Sequence, residues 1–126
     1  MGELIHKELT SQILNAAMEV HTQLGPGLLE NVYETCLAYE LGERGLSVKR
    51  QLPVPVVYKG QQLDCGFRLD LMVEGVVIVE LKTLEKVLPV HESQLFTHMR
   101  LLGCRVGLLL NFNVQHLKDG IVRRVL

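Results

Sequence analysis

Apolar residues recur at helical spacing early in this chain, at Leu9, Ile13, Ala16, Val20 and Leu24. The spacing predicts a helix from about Thr10 to Leu24, with Thr10 or Ser11 as its cap. Gly25-Pro26-Gly27 stops that helix and turns the chain. A second helix is predicted from about Leu28 to Glu43. Leu29, Val32, Cys36 and Leu37, then Tyr39 or Glu40, trace its apolar side, and Gly45 ends it. The period then shortens to that of strands. Val48 to Tyr58 is rich in valine, but Pro53 and Pro55 cannot donate to a ladder, so this strand belongs at an edge or is broken. After a Lys59-Gly60 turn, Phe67, Leu69, Leu71 and Val73 alternate with Arg68, Asp70 and Met72, as in a half-buried strand. Glu74-Gly75 is the next turn. Val76 to Lys82 is apolar at first and ends in Glu-Leu-Lys, which reads as a central strand with charges at one end. Pro89 suits the first turn of a third helix whose core side is Leu95, Phe96, Met99 and Leu102, closed by Gly103. Val106 to Leu110 is a short buried strand. Gly120 precedes a last short segment, Ile121 to Leu126. The order helix, helix, three strands, helix, strand predicts a mixed α/β fold in which helices cover a small mixed sheet.

Length and composition narrow this picture. The chain has 126 residues, which fits one domain over residues 1–126. A formal net charge of -1 gives no global basic field, so nucleic acid would have to meet a local patch. The three cysteines, Cys36, Cys65 and Cys104, are far apart and form no CxxC pair. Zinc ligation and a disulfide framework are therefore not expected, and small buried thiols in a reducing cytoplasm are. Met1 to Thr10 carries charge and lacks the apolar centre of a signal peptide. No apolar run approaches the ~18 residues of a membrane helix.

The candidate chemistry lies where the strands end in charge. Asp70 sits on the alternating strand, and Glu80-Leu81-Lys82 ends the next one. Residues two apart in a strand share a face, about 6.5 Å apart along it. Glu80 and Lys82 therefore point the same way, after a run of valine and isoleucine where unpaired charge is costly. His91, Gln94 and His98 fall at i, i+3 and i+7, a polar stripe on one side of the third helix. Two carboxylates on neighbouring strands suit Mg2+ or Mn2+, with waters and phosphate oxygens completing the shell. Lys82 would orient the attacking water or stabilise negative charge on phosphorus. The two carboxylates share a metal only if they share a face. A regular two-residue turn at Glu74-Gly75 would pair Val73 with Val76 and put Glu80 on the opposite face. The sequence therefore predicts an odd loop or a bulge between Asp70 and Glu80, such as a three-residue loop Val73-Glu74-Gly75 pairing Met72 with Val76.

These motifs resemble the PD-(D/E)XK nuclease superfamily, in which Asp70 matches the first acid and Glu80-Leu81-Lys82 the E-x-K. Gly27-Leu28-Leu29-Glu30-Asn31-Val32-Tyr33 resembles the signature of its GxxExxY branch, as do Leu24-Gly25-Pro26-Gly27 and Leu110-Asn111-Phe112-Asn113. The resemblance covers roughly His6 to the C-terminus. It implies a restriction-endonuclease-like core of order α-α-β-β-β-α-β. It implies Asp70, Glu80 and the backbone carbonyl of Leu81 as metal ligands, Lys82 as catalytic lysine and Glu30 as an additional acid. Gln94 matches a glutamine that many members carry on the following helix. Several branches have a tyrosine four residues later, where this chain has His98.

The implied activity is divalent-metal-dependent hydrolysis of phosphodiester bonds in DNA or RNA. The rivals on the same fold are a catalytically silent nucleic-acid-binding module and a subunit of a larger complex. A homodimer or a protein partner would enlarge the small footprint of such a core. Tyr33, one turn from Glu30, either bonds that acid or packs in the core. His91 is either a phosphate contact or an exposed residue of the helix start, and His21 is a structural residue of its loop. Asn111 and Asn113 are read as capping a turn in preference to touching substrate. Lys118, Arg123 and Arg124 are the best candidate basic patch, against a default of solvated surface.

Overall fold

The computed structural model describes residues 5–126. Of the segment Met1 to Thr10 considered above, residues 1–4 lie outside the described residues. Helix α1 spans Lys7–Leu24 and α2 spans Glu30–Glu43. Three strands follow, β1 (Val48–Pro53), β2 (Val56–Tyr58) and β3 (Gln61–Leu63), then the β4–β5 hairpin (Arg68–Val73 and Val77–Lys82). Helix α3 (Pro89–Leu102), β6 (Val106–Asn111), a 3-10 turn at Leu117–Gly120 and β7 (Ile121–Val125) complete the chain.

The main sheet has five strands in the order β1-β4-β5-β6-β7, and β2 and β3 form a separate two-stranded sheet. Among the described strands only β5 and β6 run parallel, with α3 as the crossover between them. Helices α1 and α2 bury Ile13, Ala16, Ala17, Tyr33, Leu37 and Leu41 against one face of the sheet. Leu95 and Met99 of α3 pack with Met72, Ile78 and Leu109 on the other. Because both faces are covered, β4 is buried at Leu69 and from Leu71 to Val73, not half-buried as its alternation predicts. At β1 both alternatives hold, since it is an edge strand and Val54-Pro55 breaks it from β2.

Four further readings are corrected. The first helix begins at Lys7, with His6 as its cap. Thr10 is inside it, and its hydroxyl donates to the Lys7 carbonyl instead of capping an end. In α2 the core side is Tyr33, Leu37 and Leu41, while Leu29 is 79% exposed and Val32 and Tyr39 are also exposed. That helix carries two apolar stripes, and the one that meets the sheet is rotated from the one the spacing suggests. The β2–β3 hairpin and β7 extend the anticipated order, as strands too short for their own period to announce them. Finally, Cys104 alone of the three thiols is buried; Cys36 is half-buried and Cys65 exposed, all of them free. Among the described residues no helix is long and apolar enough to cross a membrane.

Candidate active site

The site is built on the β4–β5 hairpin. Glu74 and Gly75 both take positive φ, at 54° and 69°, as the central residues of tight hairpin turns do. The Val76 N–H donates to the Val73 carbonyl across that turn, at 3.1 Å. The ladder nevertheless pairs Val73 with Val77, Met72 with Ile78 and Leu71 with Val79. Val76 is thus an extra residue beside the turn, the one-residue offset of a bulge. Continued, this register sets Asp70 opposite Glu80, on one face. The odd connection is present, with its extra residue one position later than the Val73-Glu74-Gly75 loop predicts.

Ordinary pairing stops where the acids begin. The Leu81 N–H donates to Asp70 Oδ2 at 2.8 Å, so a carboxylate occupies the place of a ladder carbonyl. On the other side, Phe112 N–H donates to the Lys82 carbonyl at 2.9 Å. Peptide directions alternate along a strand, so the Leu81 carbonyl turns toward β4 and Asp70. Glu80 is only 4% exposed, and its Oε2 accepts a hydrogen bond from His98 Nδ1. The Phe67 ring stacks on that imidazole, with centroids 4.1 Å apart. Among the described residues Lys82 has no ion pair.

A cleft of about 430 Å³ is lined by Glu30, Phe67, Arg68, Asp70, Glu80, Lys82, Gln94 and His98. It brings together Glu30, Asp70, Glu80, Lys82 and Gln94 from the first turn of α2, the hairpin and α3. Gln94 and His98 turn into it, while Leu95 and Met99 of the same helix enter the core. Burial pushes the Asp70 carboxyl up from its ordinary range, with Glu34 and Glu80 adding to the rise; the Leu81 N–H and Lys82 oppose it. Glu30 is likewise raised, by burial first and then by Asp70.

Other residues have structural duties. Tyr33 is buried and does not bond Glu30; its hydroxyl donates to the Gly25 carbonyl at 2.5 Å and accepts from the Leu28 N–H at 3.1 Å. It thereby fixes the loop that delivers Glu30. His91 accepts from the Leu88 N–H through Nδ1, at 2.8 Å, and closes the start of α3. His21 Nε2 donates to the Phe112 and Val114 carbonyls, a structural role but toward the loop after β6. Asn111 Oδ1 accepts from the N–H groups of Leu84 and Asn113, joining the loops after β5 and β6. The basic trio does not form one patch: Arg124 pairs with Glu92, Arg123 donates to the Ile5 carbonyl, and Lys118 borders a separate depression beside α1.

Four participants escaped the sequence reading: Phe67, Arg68, Glu34 and the bond from His98 to Glu80. Glu34 lies one turn after Glu30 and is buried. Arg50 donates to its Oε2 at 3.0 and 3.1 Å, and Gln51 donates to its Oε1 at 2.5 Å. Gln51 reaches it with φ at 51°, unusual within a strand, at the position that the β1–β4 ladder skips between Arg50–Leu71 and Leu52–Leu69. The four-residue step from Glu30 to Glu34 was the available signal.

The donor set fits a small hard cation. Among the described residues no group of three or more His, Cys, Asp or Glu is disposed to hold a metal unaided. Asp70 and Glu80 supply two carboxylates, each with one oxygen engaged by this chain, and the Leu81 carbonyl lies on the same side. Mg2+ and Mn2+ bind with few protein ligands and fill the rest of the shell from water and phosphate.

A family model described as the PD-(D/E)XK nuclease superfamily matches residues 7–125. No curated protein and no solved structure matches the chain significantly.

Proposed function

The chain belongs to the PD-(D/E)XK nuclease superfamily, and on that premise we propose that it hydrolyses phosphodiester bonds in DNA or RNA with a divalent ion. Within the superfamily we assign it to the GxxExxY branch, on Gly27, Glu30 and Tyr33. The observation that carries the activity is one cleft lined by Glu30, Asp70, Glu80, Lys82 and Gln94.

Asp70, Glu80 and the Leu81 carbonyl would hold Mg2+ or Mn2+. When bound, such an ion neutralises phosphate charge and acidifies a water. Lys82 emerges on the same strand face as Glu80 and donates to the attacking water or to the phosphoryl oxygens. Gln94 offers an amide to the same oxygens from α3. Glu30 adds a further acid near the metal, and its raised affinity for protons suits it to exchange one with solvent. The small core and the net charge of -1 suit a homodimer or a protein partner that enlarges the contact with nucleic acid. Three free thiols fit a reducing cytoplasm.

The test is a panel of labelled single- and double-stranded DNA and RNA, incubated with pure protein in Mg2+, Mn2+ or EDTA. Cleavage is expected with metal and not in EDTA. Lys82→Ala, at a partly exposed strand end, is expected to fold normally and lose activity by roughly 10²-fold or more. Equal turnover in Lys82→Ala overturns the lysine's role. Metal-independent binding without cleavage of any substrate identifies the silent binding module instead.

A further inference from the structure

Glu80 is a carboxylate near the end of β5, the more buried strand of the hairpin, and the His98 side chain bonds it. The imidazole is itself enclosed, with 13% side-chain exposure. Phe67 stacks on it at an interplanar angle of 26°. Three elements therefore meet in one contact chain: the segment before β4 fixes the plane of the ring, α3 fixes its position, and the ring's Nδ1 fixes Glu80 Oε2. We propose that His98 is a positioning residue that confines Glu80 to ligation through one oxygen, and so selects small octahedral ions over Ca2+. This inference rests on the metal-dependent reading above.

The selection follows from oxygen counting. Ca2+ takes six to eight oxygens and commonly uses both oxygens of a carboxylate, whereas Mg2+ requires near-ideal octahedral geometry. Glu80 Oε2 is committed to His98, and Asp70 Oδ2 is committed to the Leu81 N–H. Each acid thus has one oxygen held by this chain and one free, which suits ligation through a single oxygen and disfavours the two-oxygen carboxylate that a larger ion commonly takes. An outer partner of this kind also prepays the orientation of its ligand, and losing such partners typically weakens metal binding 10–100-fold.

Two substitutions separate this role from mere packing. The amide nitrogen of Asn hangs from Cγ, as Nδ1 of His does. In His98→Asn it can therefore still donate to Glu80. In His98→Gln the amide nitrogen lies one bond further out, where Nε2 was. The experiment is calorimetric titration of the whole chain with Mn2+ and with Ca2+, alongside thermal melts in EDTA. The wild type is expected to prefer Mn2+, and Glu80→Gln to lose the site. His98→Gln is expected to weaken Mn2+ binding by about 10-fold or more and to shift the ratio of affinities toward Ca2+. His98→Asn is expected to restore both. Phe67→Leu keeps the imidazole but removes the stack, at a partly exposed position. It is expected to weaken Mn2+ binding by a smaller factor and to carry the test should His98→Gln unfold. Mn2+ binding unchanged in folded His98→Gln, or unchanged in Phe67→Leu when His98→Gln unfolds, overturns the inference. So does equal weakening of both ions, or failure of His98→Asn to restore. If Glu80→Gln abolishes binding and His98→Gln does not alter it, only this inference falls. If the wild type binds no Mn2+, the metal-dependent reading falls with it.

Discussion

Asp70 shows how a side chain of the candidate site is held against its own solvation. It is half-buried, and burial, Glu34 and Glu80 all disfavour its charge. A carboxyl raised in the folded state binds protons more tightly there than in the unfolded chain. Its contribution to stability is therefore greatest below the ordinary aspartate range, and is lost as pH rises through the raised value. At neutral pH and without metal, the charge works against the fold. Asp70→Asn removes that charge and keeps an oxygen to accept the Leu81 N–H. In EDTA it is expected to melt a few degrees above the wild type, the shift that about 1 kcal/mol gives in a chain of this size. The same substitution should lose the heat of Mn2+ binding. A lower melting temperature would show that the Asp70 charge stabilises the metal-free protein.

At the scale of the element, the β4–β5 connection decides whether the acids meet. The Glu74-Gly75 turn alone would pair Val73 with Val76, and Val76 is the extra residue that moves the partner to Val77. Deleting Val76 joins the turn directly to Val77. Val73 then still faces Val77, and Asp70 still faces Glu80. The deletion removes a partly buried valine and is expected to lower the melting temperature while Mn2+ binding survives. Loss of Mn2+ binding by a folded deletion variant would show that the bulge itself, and not the register it sets, shapes the site.

Across the whole molecule, the cleft depends on how closely α3 lies on β6. A Cβ built on Gly107 would come within 2.7 Å of Met99 Sδ and 3.0 Å of Leu95 Cδ1. Those two side chains anchor the helix that carries Gln94 and His98. Gly107→Ala is expected to destabilise the fold by about 1–3 kcal/mol, as overpacking does. It is also expected to weaken Mn2+ binding, because α3 moves outward with His98. A melt and a calorimetric titration check both effects. An unchanged melting temperature would mean that Met99 yields without moving the helix.

The features legible in the chain were those carried by local chemistry. The periods of α1 and α3, Pro89 and Gly103 at the ends of α3, and the apolar run closing in Glu-Leu-Lys each act within a few residues. Parity along two strands also demanded an odd connection at Glu74-Gly75, since side chains alternate faces. The side of α2 that enters the core was legible only at Leu37. Leu29, Val32 and Cys36 have a helical period as good as that of Tyr33, Leu37 and Leu41, and only contact with the sheet chooses between them. The β2–β3 hairpin escaped because three-residue strands carry too little pattern. Tyr33 to Gly25, Glu34 to Gln51 and His98 to Glu80 were decided by tertiary structure alone. A polar side chain's type states what it can bond. Which partner arrives depends on the register of one strand and the seating of another element's helix.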